Sequence, residues 1–263
     1  MFKRLFFVTL LLITTLLTSS CATSHRNSQQ KILPRDSFVK IHKLLTVYVC
    51  SEEDQTCQKG QFVSSASGAV TTNGIDGSYV LTAEHVCDES YLKQFAAEVN
   101  ATKYELEFKV IDIDGNKYDI EIVAEDAASD ICLLWVSDLH RKSIQFSPKE
   151  PTPGDRLYNV AAPLGIFAPN MIPIQEGFYN GYYQDKAFYS IPAAGGSSGS
   201  PVLNHKGELV GMIHSTYTRF HHVTLGPTYK NLKNFLQKET KRHSAQHAID
   251  VYIRVLVGMR DSK

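Results

Sequence analysis

Short β-rich runs separated by tight turns constrain this chain more than any other feature. Ser64-Ser65-Ala66-Ser67-Gly68-Ala69-Val70 leads through Asn73-Gly74-Ile75-Asp76-Gly77 into Ser78-Tyr79-Val80-Leu81-Thr82. Asn-Gly and Asp-Gly between such runs signal hairpins, because these residues accept the positive φ of a tight turn. Residues 104–113 and 117–124 alternate polar and apolar around Asp114-Gly115-Asn116, and 202–203 and 208–214 flank a turn at 204–207. Further strands are expected at 38–49, 131–136, 157–161, 172–182, 186–191 and 223–225. Residues 88–100 read as a helix. Pro227 is expected to open another, with Tyr229, Leu232, Phe235 and Leu236 at helical spacing. For 249–257 the pattern fits helix and strand equally. Residues 147–155 hold three prolines and Gly154, the clearest boundary in the chain. The reading is all-β, of sandwich or barrel type, with a C-terminal helix.

The 263 residues are 43% hydrophobic and 21% charged, enough for one large domain or two small ones. Lys+Arg and Asp+Glu both number 27, so no basic excess points to nucleic acid. His214, His221 and His222 are read as strand or surface residues; no metal and no cofactor is expected.

Lys3 and Arg4 precede an apolar run at 5–17 broken only by threonines; Thr18-Ser19-Ser20 and Cys21 follow. This is the order of a secretory signal, and the run is short for a membrane span. Residues 1–20 are expected to be a signal peptide and 21–36 a flexible tether. Cys21 after small residues resembles a bacterial lipobox, which implies acylation of Cys21 and membrane attachment. Thr18 departs from the usual aliphatic residue, and the alternative is cleavage near Ala22 and a secreted product. The other cysteines are Cys50, Cys57, Cys87 and Cys132. In an exported chain four cysteines invite disulfides in any of three connectivities. Cys50 and Cys57 flank a polar, turn-like segment and could close a small loop. Cys87 and Cys132 would then pair or stay as buried thiols.

Gly195-Gly196-Ser197-Ser198-Gly199-Ser200-Pro201 is too small to build a core. It can instead present backbone N–H groups beside a hydroxyl, which acyl transfer requires. A flexible linker is the competing reading. His85 follows a strand, Asp130 opens an apolar one, and Ser198 lies in the Gly/Ser run. His, Asp, Ser is the chain order of the chymotrypsin-type triad.

Around these residues the chain resembles the trypsin-like serine peptidases, most closely bacterial HtrA-like and glutamyl-endopeptidase-like members. The resemblance rests on Ser67-Gly68-Ala69-Val70, Thr82-Ala83-Glu84-His85-Val86-Cys87, Ser129-Asp130-Ile131-Cys132-Leu133-Leu134, Pro153-Gly154-Asp155, Ala162-Pro163-Leu164-Gly165, Gly196 to Pro201, and the strand from Glu208. It implies two antiparallel six-stranded β-barrels, 37–146 carrying His85 and Asp130 and 157–240 carrying Ser198 and a helix. A linker at 147–156 would join them and 241–263 would be an extension. It implies Ser198 as nucleophile, His85 as base, Asp130 as its orienting partner, and an oxyanion hole from the N–H groups of Gly196 and Ser198. Both Gly195 and Gly196 would supply unusual dihedrals. Ser197 and Ser200 are rival nucleophiles. Ile213, His214, Ser215 and Thr216 would wall the primary pocket. A small or apolar residue is expected there. An acidic one bound by His214 is the alternative, unless His214 turns back toward Asp130. Ser197 stands where many relatives have Asp and the pocket is undefined, so a catalytically weak or inactive barrel acting as a protein-binding module is the alternative function. No PDZ domain is expected after the peptidase, unlike in HtrA proteins.

Overall fold

A computed structural model describes residues 33–51, 56–217 and 220–261, without the side chains of 221 and 254–261. The expected signal peptide at 1–20, Cys21 and most of the expected tether lie outside the described residues. Two antiparallel sheets follow one another along the chain.

In the first, β1 (Phe38–Cys50) and β2 (Cys57–Asn73) form a long ribbon whose register runs from Phe38 opposite Ala69 to Cys50 opposite Cys57. The disulfide Cys50–Cys57 closes its tip, as the sequence suggested. The Asn-Gly and Asp-Gly turn then leads into β3 (Gly77–Thr82). After β4 (Lys103–Ile111), β5 (Lys117–Asp119), β6 (Glu121–Asp126) and β7 (Ile131–Ser137), the order is β5-β4-β1-β2-β3-β7-β6. The turn after β4 is organised by buried Asp112, whose carboxylate accepts the N–H groups of Asp114 and Asn116 at 2.9 Å and pairs with Arg141. Val39, Ile41, Val80, Leu81, Leu133 and Leu134 are fully buried.

The second sheet holds β8 (Arg156–Val160), β9 (Ile174–Tyr183), β10 (Lys186–Tyr189), β11 (Ser200–Leu203), β12 (Leu209–Ile213), β13 (Ser215–Tyr217) and β14 (Phe220–Pro227). Their order is β12-β11-β8-β9-β10-β14-β13. Leu157, Tyr179, Tyr189, Ile191, Val202 and Ile213 make its core. Each sheet has seven strands where six were expected. The short strands β5 and β13 lie at sheet edges, where three residues suffice to pair with one neighbour.

Among the described residues three α-helices accompany the sheets: α1 (Glu84–Cys87), α2 (Ser90–Glu98) and α3 (Tyr229–Asp261). Ala96 of α2, with Leu92 and Phe95, covers Leu45, Val47 and Leu106 on the β1–β4 extension. Pro227 ends β14 rather than opening α3. Thr228 provides the cap, its hydroxyl accepting the Asn231 N–H at 3.2 Å. Residues 249–257 continue this helix, which Leu232 and Leu236 anchor by burial. The proline-rich stretch lies in the connection between the sheets. Gln145 and Ser147 exchange backbone hydrogen bonds with Leu209, and the Tyr229 hydroxyl donates to Ser147 O at 2.8 Å.

Candidate active site

β3 delivers its last residue, Thr82, to the start of α1, and His85 is the second residue of that single turn. The first N–H groups of a helix have no partner within it. That of His85 donates to Asp130 Oδ1 at 3.0 Å. The His85 ring meets the same carboxylate, Nδ1 lying 3.0 Å from Oδ1 and 2.9 Å from Oδ2. A carboxylate on Nδ1 favours the tautomer with the proton there, which leaves Nε2 as the basic nitrogen. Asp130 precedes β7 with φ of 53°, in the left-handed region. The disulfide Cys87–Cys132 joins α1 to β7, two residues beyond His85 and two beyond Asp130.

His214 also approaches Asp130, with Nδ1 3.5 Å from Oδ2. Burial alone would push the Asp130 carboxyl up. Hydrogen bonds from the His85 ring and backbone, with the nearby charge of His85 and His214, outweigh it and hold the group below the usual carboxylate range. Burial pushes the His214 imidazole down, against the pull of Asp130.

Ser198 lies on the loop before β11. Of the three serines there, Ser197 and Ser200 are buried, at 2% and 0% exposure. The Ser200 hydroxyl accepts Asn159 Nδ2–H at 2.7 Å, and that of Ser197 accepts the Ala194 N–H at 3.4 Å. Ser198 is partly exposed and donates to His214 O at 3.3 Å. It lines a cavity of about 220 Å³ together with His85, Ile41, Lys43, Tyr91 and Leu92. Among the described residues no hydrogen bond joins Ser198 to His85. Such bonds are often long without substrate and tighten when it binds.

Gly196 has φ of 94°, and a Cβ there would lie 2.5 Å from Ala162 O. Gly195 has no such constraint, since a Cβ on it would meet nothing within 4 Å. The expectation that both glycines supply unusual dihedrals therefore narrows to Gly196. Neither the Gly196 nor the Ser198 N–H donates a hydrogen bond among the described residues.

Of the four expected pocket residues, two point elsewhere. Ile213 belongs to the core of the second sheet, and His214 turns back to Asp130. Ser215 is exposed and Thr216 half-buried on the edge strand β13. Cys87, Glu125 and Cys132 lie close enough to hold a metal, but both thiols are spent in the disulfide.

Residues 66–212, more than half of the 263-residue chain, match the family model of the trypsin-like peptidase domain. The chain is similar in structure to the serine endoprotease from Yersinia pestis, at 15% identity and a TM-score of 0.59, over 84% of this chain and 68% of that one. It is equally similar to the HtrA-type protease AlgW solved with a decapeptide, at 15% identity and a TM-score of 0.59, over 81% and 67%. No curated protein sequence matches the chain. Two antiparallel sheets in succession, the order His, Asp, Ser and the family match lead to one assignment: the chain belongs to the trypsin-like peptidases.

Proposed function

We propose that the protein is an exported serine endopeptidase that cleaves peptide bonds through His85, Asp130 and Ser198 by way of an acyl-enzyme. The observation that carries this reading is the pairing of Asp130 with His85 Nδ1 at 2.9 Å beside a cavity that His85 shares with Ser198. Nε2 of His85 takes the Ser198 proton as Oγ attacks the substrate carbonyl. The carbonyl oxygen becomes an anion held by the Gly196 and Ser198 N–H groups, worth about 3–4 kcal/mol for one such donor. The tetrahedral adduct then breaks its C–N bond, and the imidazolium returns its proton to the leaving amine. Water, deprotonated by His85, repeats the sequence on the ester and frees the acid. The substrate is a protein or peptide. A small or apolar side chain before the scissile bond fits the site best, since the buried His214 turns its Nδ1 toward Asp130, 3.5 Å away.

Ser198→Ala should lower kcat by about 10⁶-fold, as in subtilisin, and abolish fluorophosphonate labelling. One observation favours a second reading, a protein-binding barrel with weak or no catalysis: the Ser198 hydroxyl donates to His214 O rather than to His85. Folded wild-type protein that takes no label and cleaves nothing would favour that reading over an enzyme.

Export is supported by the charged, apolar and small-residue order of 1–20 and by two disulfides, which persist in oxidising compartments. We place the lipid on Cys21. Cys21→Ala should move the protein from the membrane to the soluble fraction, and an unchanged distribution would count against lipidation.

A further inference from the structure

Ser67 lies in β2 of the first sheet and is fully buried. Its N–H donates to Ser198 O at 2.9 Å. Its hydroxyl donates to Gly196 O at 2.8 Å and accepts the Ala162 N–H at 2.9 Å. Its carbonyl accepts the Thr82 hydroxyl at 2.9 Å. One residue of the first sheet thus holds two carbonyls of the loop that carries Ser198 in the second.

Three successive peptide groups run from Gly195 to Ser198. In a trans peptide the C=O and N–H point opposite ways. The Gly195 carbonyl accepts the Leu164 N–H at 2.6 Å, so the Gly196 N–H points away from Leu164. The Ser197 carbonyl accepts the Ser200 N–H at 3.0 Å, which aims the Ser198 N–H in the same manner. The middle peptide links these two donors. Its N–H is held by Ala194 O at 2.9 Å and its carbonyl by the Ser67 hydroxyl. Gly196, at φ of 94° and without a Cβ, does little to resist rotation of that carbonyl.

We propose that Ser67 is a positioning residue for catalysis, its hydroxyl locking the Gly196–Ser197 peptide so that the Gly196 and Ser198 N–H groups converge on one oxyanion. This rests on Ser198 as nucleophile and those two N–H groups as the oxyanion hole. Loss of the hydroxyl frees the Gly196 carbonyl and leaves the buried Ala162 N–H without a partner.

The test compares Ser67→Ala with the pair Ser67→Thr and Ser67→Val. Threonine and valine add the same methyl bulk and differ in the hydroxyl. Rates are expressed per fluorophosphonate-titrated site, so that folded enzyme alone is counted. In Ser67→Ala and Ser67→Val kcat should fall roughly 10- to 100-fold, with KM within about twofold of wild type. A peptide aldehyde, whose hemiacetal oxygen occupies the oxyanion hole, should lose affinity by a similar factor. Ser67→Thr should stay well above Ser67→Val on both measures. Unchanged kcat and aldehyde affinity in Ser67→Ala overturn the proposal, as does an equal Thr and Val pair. If Ser67→Ala does not fold, the Thr and Val pair decides. If no variant folds, the hydroxyl serves folding and the proposal fails. Failure of wild type to label, or labelling of Ser198→Ala, instead overturns the nucleophile assignment and so separates the two failures.

Discussion

Asp130 sits in backbone strain that its neighbours justify. A non-glycine residue in the left-handed region costs on the order of 1 kcal/mol, and asparagine and aspartate bear it best. At φ of 53° the carboxylate reaches both the backbone N–H and the ring of His85, with His214 close by. Asp130→Asn keeps this backbone preference and nearly the same shape, so it isolates the charge. The amide can donate to Nδ1, which favours the wrong His85 tautomer. We expect kcat to fall by about 10⁴-fold, the size of the same change in the chymotrypsin triad, with little change in thermal midpoint. A kcat within tenfold of wild type would remove Asp130 from the mechanism.

At the scale of elements, the question is how a four-residue helix holds His85 in place. One helical turn is not stable alone, because nucleation fixes several residues for a single hydrogen bond. Fixing α1 falls to the Cys87–Cys132 disulfide and to the His85 contacts with Asp130. The bridge closes a separation of 45 residues, worth roughly 4 kcal/mol by the chain-entropy estimate. Replacing both cysteines by alanine should lower unfolding free energy by about 2–4 kcal/mol and reduce kcat/KM beyond what the unfolded fraction explains. Denaturant unfolding and titrated kinetics check the two effects separately. The Cys50–Cys57 bridge at the ribbon tip spans 7 residues, and its loss should leave kcat/KM nearly unchanged.

Across the whole molecule, α3 ties the sheets together. Its first turns bury Leu232 and Leu236, and the Arg242 guanidinium donates to Val123 O in the first sheet at 3.0 Å. Farther along, His243 and His247 stack at 5.6 Å and lie 5.8 and 4.8 Å from Trp135, the single tryptophan of the chain. His243 also contacts the Tyr79 hydroxyl at 3.0 Å, and His247 pairs with Asp76 at 2.7 Å. Burial pushes the His243 imidazole down; Glu121 opposes this, while His247 and Arg242 add to it. A base whose pKa is depressed on folding contributes its stability in full above the unfolded value, about 6.5. That contribution is lost as pH falls below this toward the folded value. Acidification through this range should therefore loosen the helix and shift Trp135 emission to the red. His243→Leu should weaken the pH step, and an identical step in that variant would assign it elsewhere.

The residues by themselves determined most of the strands, the hairpin turns, the helix at 90–98 and the chain order of His85, Asp130 and Ser198. Each of these is written in local chemistry: alternation of apolar side chains, glycine where φ is positive as at Gly115 and Gly207 or where the backbone comes close to a neighbour as at Gly74 and Gly77, small residues where the backbone must be open. The three-residue strand β13 was not legible, because its pairing is supplied by β14. Nor was the direction of His214, which depends on Asp130 across the seam between the sheets. Pro227 ends a strand instead of opening a helix because β10 pairs with β14 up to that residue, Lys186 lying opposite it. Ser67 stood in a run that read as plain strand, yet its hydroxyl meets Gly196 across 129 residues of sequence. Tertiary structure alone decided such contacts, because a hydrogen bond between two sheets leaves no period or turn signal in either segment that makes it.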